Sequence, residues 1–330
     1  MHECIGAVEQ GFVRYARGEA VSPGVLGAHV DGGGFHVKTA GFLATAATSR
    51  PVFAAKINAN FPGNPDRHTL PTIQGVVALF DASDGRVMAV MDSIEITSIR
   101  TGAATAVAAR FLAPPEAGVV TVCGCGEQAR NQLRAVASVR AIRRVMAFDL
   151  HHDRAQRFAA EMAGELGVLA NAVRALGSDT HDSDIWITCT SAHSWFLGRE
   201  HVRPGAFIAT VGADNPEKQE IEPQLLASSA VVADVLEQAA TIGDTHHAIA
   251  AGLMRREDVR AELADVVGRA AWRPSEGETV VFDSTGTALE DVAAAELVYR
   301  RACASDAGLI VDFSQMTASS APGERGDDAS

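Results

Sequence analysis

Val119-Val120-Thr121-Val122-Cys123-Gly124-Cys125-Gly126-Glu127-Gln128-Ala129 is an apolar run ending in a glycine turn, and Asp149 closes the next apolar run, Val145 to Asp149. A strand, a tight turn and a helix N-terminus need this order to hold a dinucleotide. Gly124 permits the turn, Gly126 lets the backbone approach a pyrophosphate, and Ala129 is small enough for the helix to pack closely on the strand. The free N–H groups of the helix start then face the phosphate charge. GxGxxA alone also describes a plain strand-to-helix turn. The preceding strand, the following helix-like segment and an acid about 20 residues on make nucleotide binding the expectation.

Asp149 bears on which nucleotide. A carboxylate at the end of the second strand accepts hydrogen bonds from the ribose hydroxyls and repels the 2′-phosphate of NADP, so NAD is favoured. A solvated acid at a strand end is the alternative, and His151, His152 and Arg154 leave room for a phosphate, so NADP is not excluded.

Composition narrows the class. With 330 residues, 47% of them hydrophobic and 5% aromatic, the chain can bury a large core, and its length suggests two domains. A net charge of −13 and the lack of a basic stripe argue against a nucleic-acid partner. No apolar run reaches the ~18 residues of a membrane span, and Met1-His2-Glu3-Cys4 lacks the layout of a signal peptide, so the expected location is cytoplasmic, with no membrane partner. Cysteines at 4, 123, 125, 189 and 303 form no disulfide framework. Neither they nor the pairs His151-His152 and His246-His247 show metal-ligand spacing, and no metal site is expected.

From 118 to about 285 strand-like and helix-like segments alternate. Strands are expected at 119–123, 144–149, 184–189, 206–211, 229–233 and 279–283, with helices such as 127–138, 153–166 and 222–228 between them. This is an α/β pattern, a doubly wound parallel sheet of Rossmann type. Residues 34–40, 52–58, 74–80 and 86–92 read instead as strands joined by short turns, with Ser83-Asp84-Gly85 a hairpin signal and Glu95 to Leu112 a helix. Helix returns at Ala288 to Cys303, and Leu309-Ile310-Val311 suggests a further strand. The expected domains are therefore 1–113 and 288–315 as one α+β unit, 114–287 as the nucleotide-binding insertion, and 316–330 as a disordered tail.

Lysine is rare here. Lys and Arg total 28, yet lysine stands only at Lys38, Lys56 and Lys218. An ammonium can lose its proton on burial whereas a guanidinium stays charged, so each lysine is a candidate for chemistry that arginine cannot do. Lys56 lies inside an apolar strand, Val52 to Asn58, where it needs a polar partner or a ligand. Codon bias that happened to spare three lysines is the plain alternative.

Several segments, in order, resemble the motifs of the ornithine cyclodeaminase/μ-crystallin family. They are Lys56-Ile57-Asn58, Leu70-Pro71-Thr72, Val90-Met91-Asp92, Ile96 to Ala103, Gly124 to Ala129, Val211-Gly212-Ala213-Asp214 with Lys218, and Phe282-Asp283-Ser284-Thr285-Gly286. The resemblance implies a homodimer and hydride transfer at the α-carbon of an amino or imino acid. It implies that Lys56 hydrogen-bonds the substrate at its reacting end and that Arg100 binds the α-carboxylate while touching the cofactor. Asp214 would be the acid/base and Thr285 would face the substrate. Thr72, Gly124, Gly126, Glu127, Gln128, Asp149, Thr190, Val211, Lys218 and Ser284 would contact NAD. The chemistry agrees: a guanidinium fork matches a carboxylate, and Asp214 follows a strand's carboxyl end, where α/β sheets place ligands. A helix-capping role before Pro216 is the alternative for Asp214.

The chain also departs from the family. Ornithine cyclodeaminases carry an Arg near the segment Ser22-Pro23-Gly24-Val25 and an acid at the position of His36, which suits a distal ammonium; this chain has neither. Instead His36 and Lys38 share one strand face, and Lys38 is expected to take over part of the carboxylate clamp. A partly buried histidine with a satisfied ring is an equal reading of His36. An NAD-dependent amino-acid dehydrogenase or imine reductase is therefore expected. The alternatives are a redox-neutral cyclodeaminase and a non-catalytic, crystallin-like nucleotide binder.

Overall fold

The computed structural model describes residues 1–45 and 50–311, so the tail 316–330 lies outside the described residues. The chain begins with helix α1 (His2–Ala16), whose Ile5, Val8 and Phe12 fall on one buried stripe. Five strands follow: β1 (Ala20–Val30), β2 (Gly33–Phe42), β3 (Val52–Asn60), β4 (Ile73–Asp81) and β5 (Val87–Asp92), with a short helix α2 (Asn64–His68) before β4. They form an antiparallel sheet in sequence order. Alternation sets its two faces. Ala40, Phe42, Val52, Ala54, Val77 and Leu79 are buried on one side, while Leu26, Ile57, Val76 and Val90 are exposed on the other.

Helix α3 (Ser93–Leu112) starts where the Asp92 side chain accepts the N–H of Ile94 at 2.7 Å. It is buried almost all round from Arg100 to Ala109, because it runs between the antiparallel sheet and a second, parallel one. The chain around that sheet runs through β6 (Val119–Cys123), α4 (Glu127–Ala137), β7 (Arg144–Phe148), α5 (His152–Leu166), β8 (Leu169–Ala172), β9 (Ile185–Thr188), β10 (His193–Leu197), β11 (Phe207–Thr210), β12 (Gln219–Ile221), α6 (Pro223–Ala227), β13 (Ala230–Ala233), α7 (Leu236–Ile242), α8 (Asp244–Ala250), β14 (Ala261–Glu262), α9 (Leu263–Gly268) and β15 (Val280–Asp283).

Its eight strands run in the order β14-β13-β15-β11-β9-β6-β7-β8, with β10 and β12 pairing separately. The order reverses between β6 and β9, the switch point beside which α/β sheets open a crevice at their carboxyl ends. Continuous apolar runs such as Ile185 to Ile187 suit strands covered on both faces. Helix α10 (Ala288–Ser305) then returns to pack on β2, β3 and α1, tying the chain end to the first sheet. The strand expected at Leu309-Ile310-Val311 does not form. Asp306 (φ 52°) and Gly308 (φ 104°) turn the chain off the helix end, and Leu309 and Ile310 are each 90% exposed.

Candidate active site

The β2–β3 register sets Lys38 directly opposite Lys56 on the face that α10 covers. Lys56 is only 3% exposed. Its Nζ donates to Asp291 at 2.8 Å and lies 3.4 Å from Thr97 Oγ1. Arg100, one turn along α3 from Thr97 and also 3% exposed, pairs with Asp291 through Nε at 2.9 Å and donates through Nη1 to Glu290 at 2.5 Å. Two cations therefore share one aspartate, and burial costs both unless they are matched. Burial and the nearby Arg100 bring the Lys56 ammonium down to about 7. Burial alone would raise Asp291, but Arg100 and Lys56 hold it below its ordinary value; burial prevails at Glu290, which moves up.

Lys38 differs from its neighbours. Its Nζ donates to the carbonyls of Thr285 at 3.1 Å and Gly286 at 2.6 Å, and no carboxylate of the described residues comes within 4 Å. Burial and Arg100 lower its pKa. Gly286 closes over Arg100, since a Cβ there would lie 2.7 Å from Nη1. Thr285 turns its hydroxyl to Asp234 at 3.1 Å, and Asp234 also accepts the N–H of Gly286 and of Val235, both at 2.7 Å. Burial and Glu290 raise the Asp234 carboxyl to about 7.

The glycine turn is next to this cluster. From α4, Gln128 donates to the Ser98 carbonyl at 3.3 Å and Asn131 donates to the Ser98 hydroxyl at 2.6 Å, two residues before Arg100. Gly124 has φ +87°, and a Cβ there would meet the Cys189 carbonyl oxygen at 2.7 Å. A Cβ on Gly126 would meet nothing within 4 Å, and no side chain caps α4. The first-turn N–H groups of α4 thus have no side-chain partner and open space before them, which fits a dinucleotide phosphate. Asp149 stands at the end of β7, where its carboxylate accepts the N–H of Cys125 and of His151, each at 2.9 Å; Arg154 is 3.8 Å away.

Glu220 builds the floor of the crevice. It accepts the N–H and hydroxyl of Thr190 at 2.6 and 2.7 Å, the Thr188 hydroxyl at 2.7 Å and the N–H of Gly212 at 2.8 Å. Burial, then Asp244, pushes its carboxyl up to about 7. Past β11 the chain turns through Gly212 to Asp214, which is 54% exposed at the rim and takes a 2.7 Å contact from Lys218. No helix follows, so Asp214 is not a cap. It bears electrostatically on His36 and Lys38 across the cleft. Burial lowers the His36 pKa, and Asp214 opposes that effect.

The fold thus brings Lys38, Lys56, Arg100, Thr285 and the glycine turn together, with His36, Asp214 and Lys218 at the outer edge. Val211 and Thr190 lie on the crevice floor, and Glu127 is exposed at the α4 start. The Ser284 hydroxyl is buried with no partner among the described residues. The Thr72 carbonyl accepts the N–H of Phe61 at 2.8 Å, in the loop before β4. Sequence reasoning missed Glu290 and Asp291, the counter-ions of the cluster, as well as Asp234 and Glu220. Two adjacent acids in Ala288 to Ala295, a stretch otherwise small and apolar apart from them, were the available signal.

A family profile described as "Ornithine cyclodeaminase/mu-crystallin family" matches residues 1–306. Alanine dehydrogenase of Archaeoglobus fulgidus is 34% identical over 314 residues, 95% of this chain and 94% of that protein. Among solved structures, an archaeal alanine dehydrogenase dimer with bound NAD aligns with a TM-score of 0.89 at 33% identity, covering 95% of each chain. The iminosuccinate reductase of Paracoccus denitrificans in complex with NAD+ aligns at 0.86 and 32% identity, over 94% of this chain and 95% of that one.

Proposed function

Because the chain belongs to the ornithine cyclodeaminase/mu-crystallin family, we propose that it is an NAD-dependent oxidoreductase working at the α-carbon of an amino or imino acid. One observation carries this reading: the bonds from Gln128 and Asn131 to Ser98 set the Lys56–Arg100 cluster beside the open N-terminus of α4. The bound nicotinamide nucleotide supplies the hydride to the imine carbon, or takes it from the amine in the reverse direction.

The protein's own groups do the rest. Gly126 and the first turn of α4 would hold the pyrophosphate, and Asp149 would hold the adenosine ribose. Lys56 hydrogen-bonds the substrate at its reacting end; with its pKa near neutrality it can give or accept a proton there. Arg100, held from behind by Glu290 and Asp291, supplies charge to the α-carboxylate. Asp214, on the rim with Lys218, delivers the proton that the substrate nitrogen needs when the carbon takes the hydride. Of the described residues, those within 1–113 and 288–315 form the substrate unit and 114–287 the nucleotide unit, with the reaction between them.

The outward face of the antiparallel sheet supports a homodimer. Leu26, Ile57, Val76 and Val90 are each more than 40% exposed there and share one face, the kind of apolar grouping that marks an interface. Among the described residues no helix is long and apolar enough to cross a membrane.

The test is a panel. The protein is incubated with NADH, ammonia and a set of 2-oxo acids or cyclic imines, and separately with ornithine while proline is followed. Loss of NADH absorbance is expected with at least one imine. Proline formed from ornithine with no net change in NADH would overturn the reading in favour of a cyclodeaminase.

A further inference from the structure

Charge in the cleft divides into two groups. In the inner group, Lys56 and Arg100 face Glu290 and Asp291, all four nearly sealed from water. The two cations are matched by the two acids from behind, which leaves Lys56 and Arg100 as the donors for one α-carboxylate. In the outer group, Asp214 is already taken by Lys218. Lys38 is left over. It has three N–H donors, two of them satisfied by the Thr285 and Gly286 carbonyls, and no carboxylate partner within 4 Å among the described residues.

An ammonium held in that way beside a second ammonium is unfavourable unless an anion offsets the two charges. His36 projects from the same face two residues along β2, about 7 Å further by strand geometry. The cleft-lining side chains of β2 and β3, His36, Lys38, Lys56 and Asn58, include no acid. On these two strands a distal ammonium would meet only cations or neutral groups, the acid across the cleft, Asp214, being paired with Lys218, and a distal methyl would leave Lys38 unmatched.

We propose that this cleft selects a substrate with a second carboxylate, an amino or imino dicarboxylic acid, and that Lys38, flanked by His36, receives that second carboxylate. The inference rests on the hydride-transfer reading above and adds the substrate class to it.

Oxaloacetate and pyruvate, each with NADH and ammonia, differ by one carboxylate and make the direct comparison. The kcat/KM for oxaloacetate is expected to exceed that for pyruvate on the order of 10²-fold, the usual effect of a buried charge contact. Lys38→Met should collapse that ratio, and Lys38→Arg should restore much of it. Calorimetry on the NADH-bound protein gives a readout without turnover: succinate should bind and propionate should bind far more weakly. If Lys38→Met fails to fold, the wild-type ratio and the succinate titration decide. Pyruvate turned over as well as oxaloacetate, or a Lys38→Met loss equal for both, overturns the substrate class and leaves hydride transfer standing. No turnover of any 2-oxo acid or cyclic imine, with no succinate binding, overturns both.

Discussion

Lys38 and Lys56 stand opposite one another across β2 and β3, and among the described residues only Lys56 has a carboxylate partner. Two ammonium groups this close on one sheet face repel each other, and both have lowered pKa values. The pairing is unfavourable for folding alone, and an anion bound on that face would offset it.

Lys56→Met should therefore remove activity while sparing the fold. Asp291 keeps Arg100, and one of the two opposed cations is gone. A fall in kcat/KM of roughly 10²–10⁴ is expected, with a Tm close to wild type, measured by steady-state kinetics and calorimetry on the same sample.

Asp291→Asn should act in the opposite manner. It leaves two buried cations with only Glu290, and breaking such a network costs about 3–5 kcal/mol. Asp291 also raises the Lys56 pKa, so its removal shifts the Lys56 titration below about 7. In any variant protein that survives, the corresponding limb of the kcat/KM profile should move to lower pH; a limb that stays in place would separate Lys56 from the titration.

Gly124→Ala and Gly126→Ala form a contrast. A Cβ at Gly124 collides with the Cys189 carbonyl and requires a left-handed backbone, so this variant should lose stability. At Gly126 the Cβ meets only open space, so Tm should hold while NADH affinity falls about tenfold or more. Fluorescence titration with NADH and thermal melts distinguish the two.

Thermal stability should decline as pH rises from about 4 to 7. Burial raises Asp234 and Glu220 to about 7, assisted by Glu290 and Asp244 respectively. In that window the folded chain keeps protons that the unfolded chain has released. Their stabilising contribution is complete below the ordinary carboxylate range and is lost as pH passes through about 7. A drop of a few degrees in Tm is expected, and Asp234→Asn should flatten its share of the slope.

The nucleotide half was legible because its strands are continuous apolar runs, buried on both faces and punctuated by Gly124 and Asp149. The antiparallel sheet was read from β2 onward. Strand β1 escaped because Pro23, Gly24 and Gly27 interrupt it, and as an edge strand with an irregularity between Val21 and Gly24 it buries little. The stripe Ile5, Val8, Phe12 was a readable helix period that the strand pattern overshadowed. Within the site, the cations stood out by rarity or motif. Their partners, Glu290 and Asp291, were hidden because an acid in a helix's first turn is ordinary at a surface, and only packing of α10 under β3 buries it.

Glu220 has a consequence for anyone wishing to change which coenzyme this protein accepts. One side chain fastens the tips of β9 and β11 and the Thr190 loop into a single unit. Leu150, 92% exposed, and Arg154 sit apart from that unit. Substitutions at those two positions can retune discrimination at the adenosine end as an independent module, whereas altering Glu220 would dismantle the unit itself.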